Sequence, residues 1–165
     1  GHPNFPEISY GLSGGFSYKN FDLSFLFQGA ANFSLTLAGG FQKPFDSLGT
    51  IFEHQQKWRW TPENADRAKY PRLSVSHATA QNYYNSTIWV KDASYLRLKN
   101  VEIGYTFTMP GLKKAGIQKL RVYASGQNLV TWTDVIYYDP EKAANGTGAG
   151  YPLMRVFNLG VSLQF

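Results

Sequence analysis

The feature that most constrains this chain is a period-two alternation that runs longer than strands in soluble domains do. In EISYGLSGGFSY, residues 7–18, the even positions are Ile8, Tyr10, Leu12, Gly14, Phe16 and Tyr18. The odd positions are Glu7, Ser9, Gly11, Ser13, Gly15 and Ser17. Such spacing places one set on each side of a strand. Lys19-Asn20 follows as a tight turn, with Asn20 the residue suited to positive φ. From Phe21 to Leu37 every odd position is apolar or glycine, and the even positions carry Asp22, Ser24, Leu26, Gln28, Ala30, Asn32, Ser34 and Thr36. Soluble strands average about 5–6 residues, whereas crossing hydrocarbon takes ~9–11. An uncharged apolar face opposite a small, polar one is the pattern of a strand between lipid and a wet lumen.

The same pattern returns downstream. In NVEIGYTF, Val101, Ile103, Tyr105 and Phe107 alternate with Glu102, Gly104 and Thr106, while in YLRLK the apolar parity moves to Leu96 and Leu98. One extra residue between Leu98 and Val101 reconciles the halves, so a β-bulge is predicted there. It turns Arg97 and Lys99 inward, away from hydrocarbon, where a mid-depth cation costs roughly 2–4 kcal/mol. A fourth strand, KLRVYASGQNLVTW, and a last one, Phe157–Phe165, complete five. Residues 119–130 are the expected partner of the last strand, and residues 7–18 are not.

The connections alternate in length: Lys19-Asn20, then 38–88, then Met109–Gly116, then 133–150. The 38–88 stretch is expected to hold short helices near Gly49–Trp60 and after Thr61-Pro62. Outer-membrane barrels have short periplasmic turns and long outer loops. From Phe165 back to Arg155, a strand tilted by ~45° at ~3.4 Å per residue climbs about 24 Å, which brings Arg155 to the outer headgroup level. Tyr18, Phe21, Phe107 and Phe165 form the aromatic girdle of the other edge. Ile8, Tyr10, Leu12, Phe25, Phe27, Ile103, Tyr105, Leu159, Val161 and Leu163 are expected to face lipid.

Composition agrees and excludes alternatives. Only 16 % of the residues are charged, against about a quarter in soluble domains. There is no cysteine, so disulfide scaffolds, thiol catalysis and thiolate metal sites are excluded. The net charge of +5 comes without a dense basic run, which argues against a nucleic-acid partner. No apolar run reaches the ~20 residues of a transmembrane helix, and Gly1-His2-Pro3-Asn4 opens no secretory signal, so an export signal is expected on sequence upstream. His2, His54 and His77 are scattered and form no metal set. GTGAG, 146–150, precedes a strand and is no phosphate cradle. Glu102 and Asp22 lie on different strands at no readable distance, so paired acid–base chemistry is not indicated. Neither enzyme activity nor a cofactor is expected.

Five blocks then resemble one family, the SusC/RagA group of TonB-dependent outer-membrane transporters. They are GHPNFPEISYGLSGGFSYKNFDLSFLFQGA, RWTPENADRAKYPRL, SYLRLKNVEIGYTF, LRVYASGQNLVTWTD followed by YDPE, and the last strand. Phe5 departs from the family, which more often has Pro directly after Asn. The resemblance implies a barrel of about 22 strands around a plug, with residues 1–165 as its C-terminal portion. The plug, the other strands and the TonB box that engages TonB would then lie upstream. It also implies a SusD-like surface lipoprotein as lid, and import of oligosaccharides or peptides. Five strands cannot close a barrel, and an open edge in lipid is costly, so the remainder of the barrel is a required partner, supplied either by the rest of a longer chain or by the other part of a split barrel.

Candidate site residues follow from position. Gln28, Asn32, Glu102, Arg121 and Gln127 face the lumen and contact cargo or plug. Trp58, Trp60, Trp89 and Trp132, with Tyr83, Tyr84, Tyr137 and Tyr138, are loop aromatics that stack on cargo, pack the loops together, or meet the lid. Phe157, Leu159, Val161, Leu163 and Phe165 match the terminal stripe that, by the resemblance, barrel-assembly machinery reads. Two other classes stay open: a non-transporting SusC-like barrel that scaffolds an outer-membrane complex, and a soluble lectin-like β-sandwich.

Overall fold

A computed structural model describes residues 1–165 apart from 46–48, 76–80, 115, 136–138, 142–150 and 152, and apart from the side chains of 113 and 114. The chain forms two compact units, one of strands and one of connections.

The strand unit is an antiparallel sheet of five: β1 (Ile8–Tyr18), β2 (Phe21–Ala31), β5 (Tyr95–Phe107), β6 (Lys119–Thr133) and β7 (Val156–Gln164). Their order in the sheet is β1-β2-β5-β6-β7. Each strand therefore pairs with its predecessor in this set, and the terminal β7 pairs with β6, Lys119 opposite Gln164 through Gln127 opposite Val156. β1 and β7 are the two edges and do not meet, as the sequence indicated. The sheet is a stretch of transmembrane β-barrel wall, open because only five strands are present. Ile8, Tyr10, Leu12, Ile103, Tyr105, Leu159, Val161 and Leu163 are all exposed on the apolar face. Phe25 and Phe27 are half-buried there, because they pack edge-to-face on each other and Phe25 covers the bare Cα of Gly14.

The predicted bulge is present. The β2–β5 register slips between Leu26 and Phe27, and the β5–β6 register slips between Leu98 and Asn100, leaving Lys99 without a place in either ladder. Leu98 then sits opposite Phe27, and Arg97 opposite Gln28 on the polar face. Arg97 is 2 % exposed, and its Nε donates to Thr131 Oγ1 at 2.8 Å.

Two expectations are corrected. Lys19, not Asn20, adopts the left-handed φ of the first turn, at 55°. β2 ends at Ala31 rather than Leu37, because Asn32 takes φ 58° and ends the ladder. The residues beyond form β3 (Ser34–Thr36), which pairs with β4 (Val90–Asp92) in a separate two-stranded sheet.

That small sheet belongs to the connection unit: Gly1–Pro6, Asn32–Ala93 and Asp134–Pro152. Ser34 ties the N-terminal segment to β3, its N–H donating to Pro3 O and its Oγ accepting from His2 N–H. Phe33, Leu35, Leu37, Phe41 and Trp89 are its buried core. Helix α1 (Glu53–Trp58) and a 3₁₀ stretch (Pro62–Arg67) lie where short helices were expected. Across the 3₁₀ stretch the chain returns on itself, with Trp58 O accepting from Lys69 and Tyr70 N–H and Trp60 N–H donating to Tyr70 O. The turn before β6 contains the short helix α2 (Pro110–Lys114).

Candidate functional site

The polar face of the sheet carries a charged cluster. Asp22 on β2, Glu102 on β5 and Arg121 on β6 point to the same side, and the guanidinium bridges both carboxylates. Nε donates to Asp22 Oδ1 at 3.1 Å and Nη2 to Glu102 Oε1 at 2.7 Å, while a second Nη2 bond reaches Asp22 Oδ2. Arg121 also lies 5.0 Å above the Tyr123 ring. The register explains the geometry. Asp22 stands opposite Gly104, and Glu102 opposite Ser24 and Ser125. Arg121 must cross β5 diagonally, and Gly104 leaves the space for it: a Cβ there would be 2.6 Å from Asp22 Oδ2 and 2.7 Å from Arg121 Cζ.

Beside this cluster lies an open cleft of about 340 Å³. Ser24, Asn100, Glu102, Ser125 and Gln127 supply its polar lining, two neighbouring rows of the ladder just before the bulge. The wall thus offers carboxylate, amide and hydroxyl groups to whatever fills the lumen. Among the described residues no group of His, Asp and Glu is placed to bind a metal.

Of the lumen candidates, Glu102, Arg121 and Gln127 come together here. Gln28 is farther along the same face, opposite Arg97. Asn32 is not on the wall: its left-handed backbone ends β2, which removes it from the ladder.

The loop aromatics separate into different environments. Trp89 is 1 % exposed, with Nε1–H donating to Asn82 O at 2.8 Å and its ring 6.4 Å from Tyr70, so it packs the connection unit. Trp58 is half-buried beneath the ammonium groups of Lys57 and Lys69, 5.6 and 5.1 Å from its ring. Trp60 is 41 % exposed and Tyr84 more so, while Tyr83 O accepts from Gln42 Nε2 at 2.7 Å. Trp132 is no loop residue. It is in β6 opposite Leu96, 6.3 Å from the Phe27 ring on the apolar face, and 51 % exposed. With Tyr10, whose hydroxyl donates to Tyr95 O, it forms an aromatic edge at the end of the sheet opposite Tyr18 and Phe21. Tyr137, Tyr138, His77 and the 146–150 loop lie outside the described residues.

Two kinds of likeness agree with this geometry. TonB-dependent receptor P3 of Formosa agariphila is 31 % identical over 97 % of this chain, and TonB-dependent receptor SusC of Bacteroides thetaiotaomicron is 29 % identical over 96 %. The chain spans only 16 % and 15 % of those two receptors. A solved structure of the RagAB peptide importer in the "closed-closed" state superposes with a TM-score of 0.69 at 26 % identity, over 98 % of this chain and 17 % of that one. In sequence and fold the chain is similar to a segment of SusC/RagA-type TonB-dependent receptors. No protein-family profile matches it.

In this wall, Asp22, Gly104 and Arg97 are the residues that sequence reasoning left out of the site. Asp22 and Arg97 already showed lumen parity; only the register brings Asp22 within reach of Arg121. Trp132 was legible too, since it shares the even parity of Leu120, Val122 and Ala124 on the same strand. The stripe Phe157, Leu159, Val161, Leu163 and Phe165 is exposed throughout, Leu159 at 87 %.

Proposed function

We propose that this chain is the C-terminal part of an outer-membrane, TonB-dependent importer of oligosaccharides or peptides, working with a SusD-like lipoprotein as lid. The observation that carries the reading is the two-faced wall: an apolar stripe open to lipid on one side, and the Asp22–Arg121–Glu102 cluster with its polar cleft on the other. A wall of this kind separates lipid from a hydrated, filled lumen. The likeness to a peptide importer and to SusC supports transport over a scaffold barrel.

In this reading the plug rests on Glu102, Arg121, Gln127 and Gln28, and TonB engages a segment upstream. The β2–β5 and β6–β7 connections face outward, toward lid and cargo. The free edge of β7, with its terminal aromatic stripe, is what barrel-assembly machinery pairs with before the first strand of the barrel takes its place.

The test uses the full-length receptor in its own host. Uptake of fluorescent oligosaccharides and peptides is compared between wild type and strains lacking the receptor, TonB or the lid. Import of at least one class, abolished without TonB, is the expected result. Undiminished uptake by a strain lacking the receptor, together with loss of an outer-membrane complex, would establish the scaffold instead.

A further inference from the structure

Between residues 57 and 72 the connection unit carries Lys57, Arg59, Arg67, Lys69 and Arg72. Among the described residues none of these five cations forms an ion pair. Lys57 and Lys69 rest on the Trp58 ring, and the Arg59 guanidinium donates only to Gln56 O at 2.9 Å. Glu63 and Asp66 lie in the same stretch and Glu53 just before it, and none of the three is ion-paired with these cations. The local fold determines this arrangement. Helix α1 ends at Trp58, whose carbonyl accepts from Lys69 and Tyr70 N–H, and Trp60 N–H donates to Tyr70 O, so Lys69 is brought next to Trp60 while Lys57 and Lys69 converge on the Trp58 ring. The result is an exposed indole, Trp60, beside a half-buried one that gathers two ammonium groups, with cations in excess over carboxylates.

We propose that this patch binds an anionic saccharide, a chain of sugars bearing carboxylate or sulfate groups. Two chemistries converge on that class. An indole offers a flat apolar surface to the C–H face of a pyranose, and Trp60 is open to do so. Ammonium and guanidinium groups beside it take the charged substituents. A neutral sugar leaves the cations unused, and an acidic peptide leaves the indole faces without a flat partner. The inference rests on the importer reading, because it treats the β2–β5 connection as exposed to cargo, and it specifies the cargo class that connection meets first.

The experiment measures binding to the purified full-length receptor in detergent by tryptophan fluorescence and calorimetry. Three probes of equal length are compared: an oligogalacturonate, a neutral maltooligosaccharide and oligoglutamate. The oligogalacturonate binds with a salt-dependent affinity and exceeds both other probes. Lys57→Gln with Lys69→Gln weakens it by roughly tenfold, as loss of two exposed charge contacts does, and Lys57→Arg with Lys69→Arg restores it. Trp60→Ala weakens it without changing the salt slope. Equal binding of the neutral probe, preference for oligoglutamate, or a Lys57→Gln/Lys69→Gln receptor that binds like wild type each overturns the proposal. Because binding is read without transport, a receptor that binds but never imports refutes the importer reading alone. One that imports while its patch variants bind normally refutes the patch alone.

Discussion

Arg121 on β6 reaches Asp22 on β2 across the full width of β5, and its guanidinium lies over the bare Cα of Gly104. The pair thus depends on a third residue that contributes no side chain. Gly104→Ala should displace the cluster and cost about 1–3 kcal/mol, the usual range for overpacking. Asp22→Asn, which keeps the space and weakens only one partner of a half-exposed cluster, should cost less, about 0.5–1 kcal/mol. Urea unfolding of the full-length receptor in detergent measures both. A Gly104→Ala protein as stable as wild type would show that the bridge has room to spare.

The apolar face predicts a depth-dependent cost. Leu159 is 87 % exposed on β7, opposite Ala124 and well inside the stripe. Leu159→Arg should destabilise the receptor in lipid vesicles by about 2–4 kcal/mol. Asn158→Arg, one residue away on the polar face, should change little. Equal losses at the two positions would remove the assignment of faces.

Lys99 tests the bulge. Lys99→Ala keeps the residue count and should assemble normally. Deleting Lys99 flips the parity of 95–98, which would aim Arg97 at hydrocarbon and Leu96 and Leu98 at the lumen. The deletion should abolish the heat-modifiable band of the folded barrel in outer-membrane fractions. Normal assembly of the deletion would mean that β5 can be paired without an extra residue.

His54 makes the connection unit sensitive to acid. Its ring stacks 5.4 Å from Phe52 and 6.2 Å from Phe41, with Tyr70 at 5.5 Å, and burial holds its pKa below the ordinary imidazole value. The unfolded segment takes up a proton near pH 6.5, whereas the folded one resists it. The stability from neutral His54 is therefore complete above that pH and is lost as pH falls through the depressed folded value. Hydrogen-exchange protection factors of residues 39–60 in the full-length receptor, corrected for the intrinsic pH dependence of exchange, should fall between pH 7.5 and 5.5. His54→Phe should remove that pH dependence, and an unchanged loss of protection would assign it to another group.

What was legible in the sequence was local. Alternation at 7–18, 101–107 and 157–165 follows from the two-residue repeat of a strand, so it reveals which side chains share a face without knowledge of any neighbour. The flip at 95–98 was readable for the same reason, since only an inserted residue reconciles two parities. Parity does not say which strand lies alongside or where a ladder stops. Phe33, Leu35 and Leu37 continue the odd pattern of β2, yet Asn32 ends that strand and the three serve a different sheet, buried in the connection unit. The Asp22–Arg121–Glu102 bridge, the cleft beside it and the gathering of Lys57 and Lys69 on Trp58 depend on contacts between residues far apart in sequence or folded back by a turn. Register and chain reversal decide these contacts, and both are set by pairing free energies summed over the whole sheet and loop rather than by any one residue's preference.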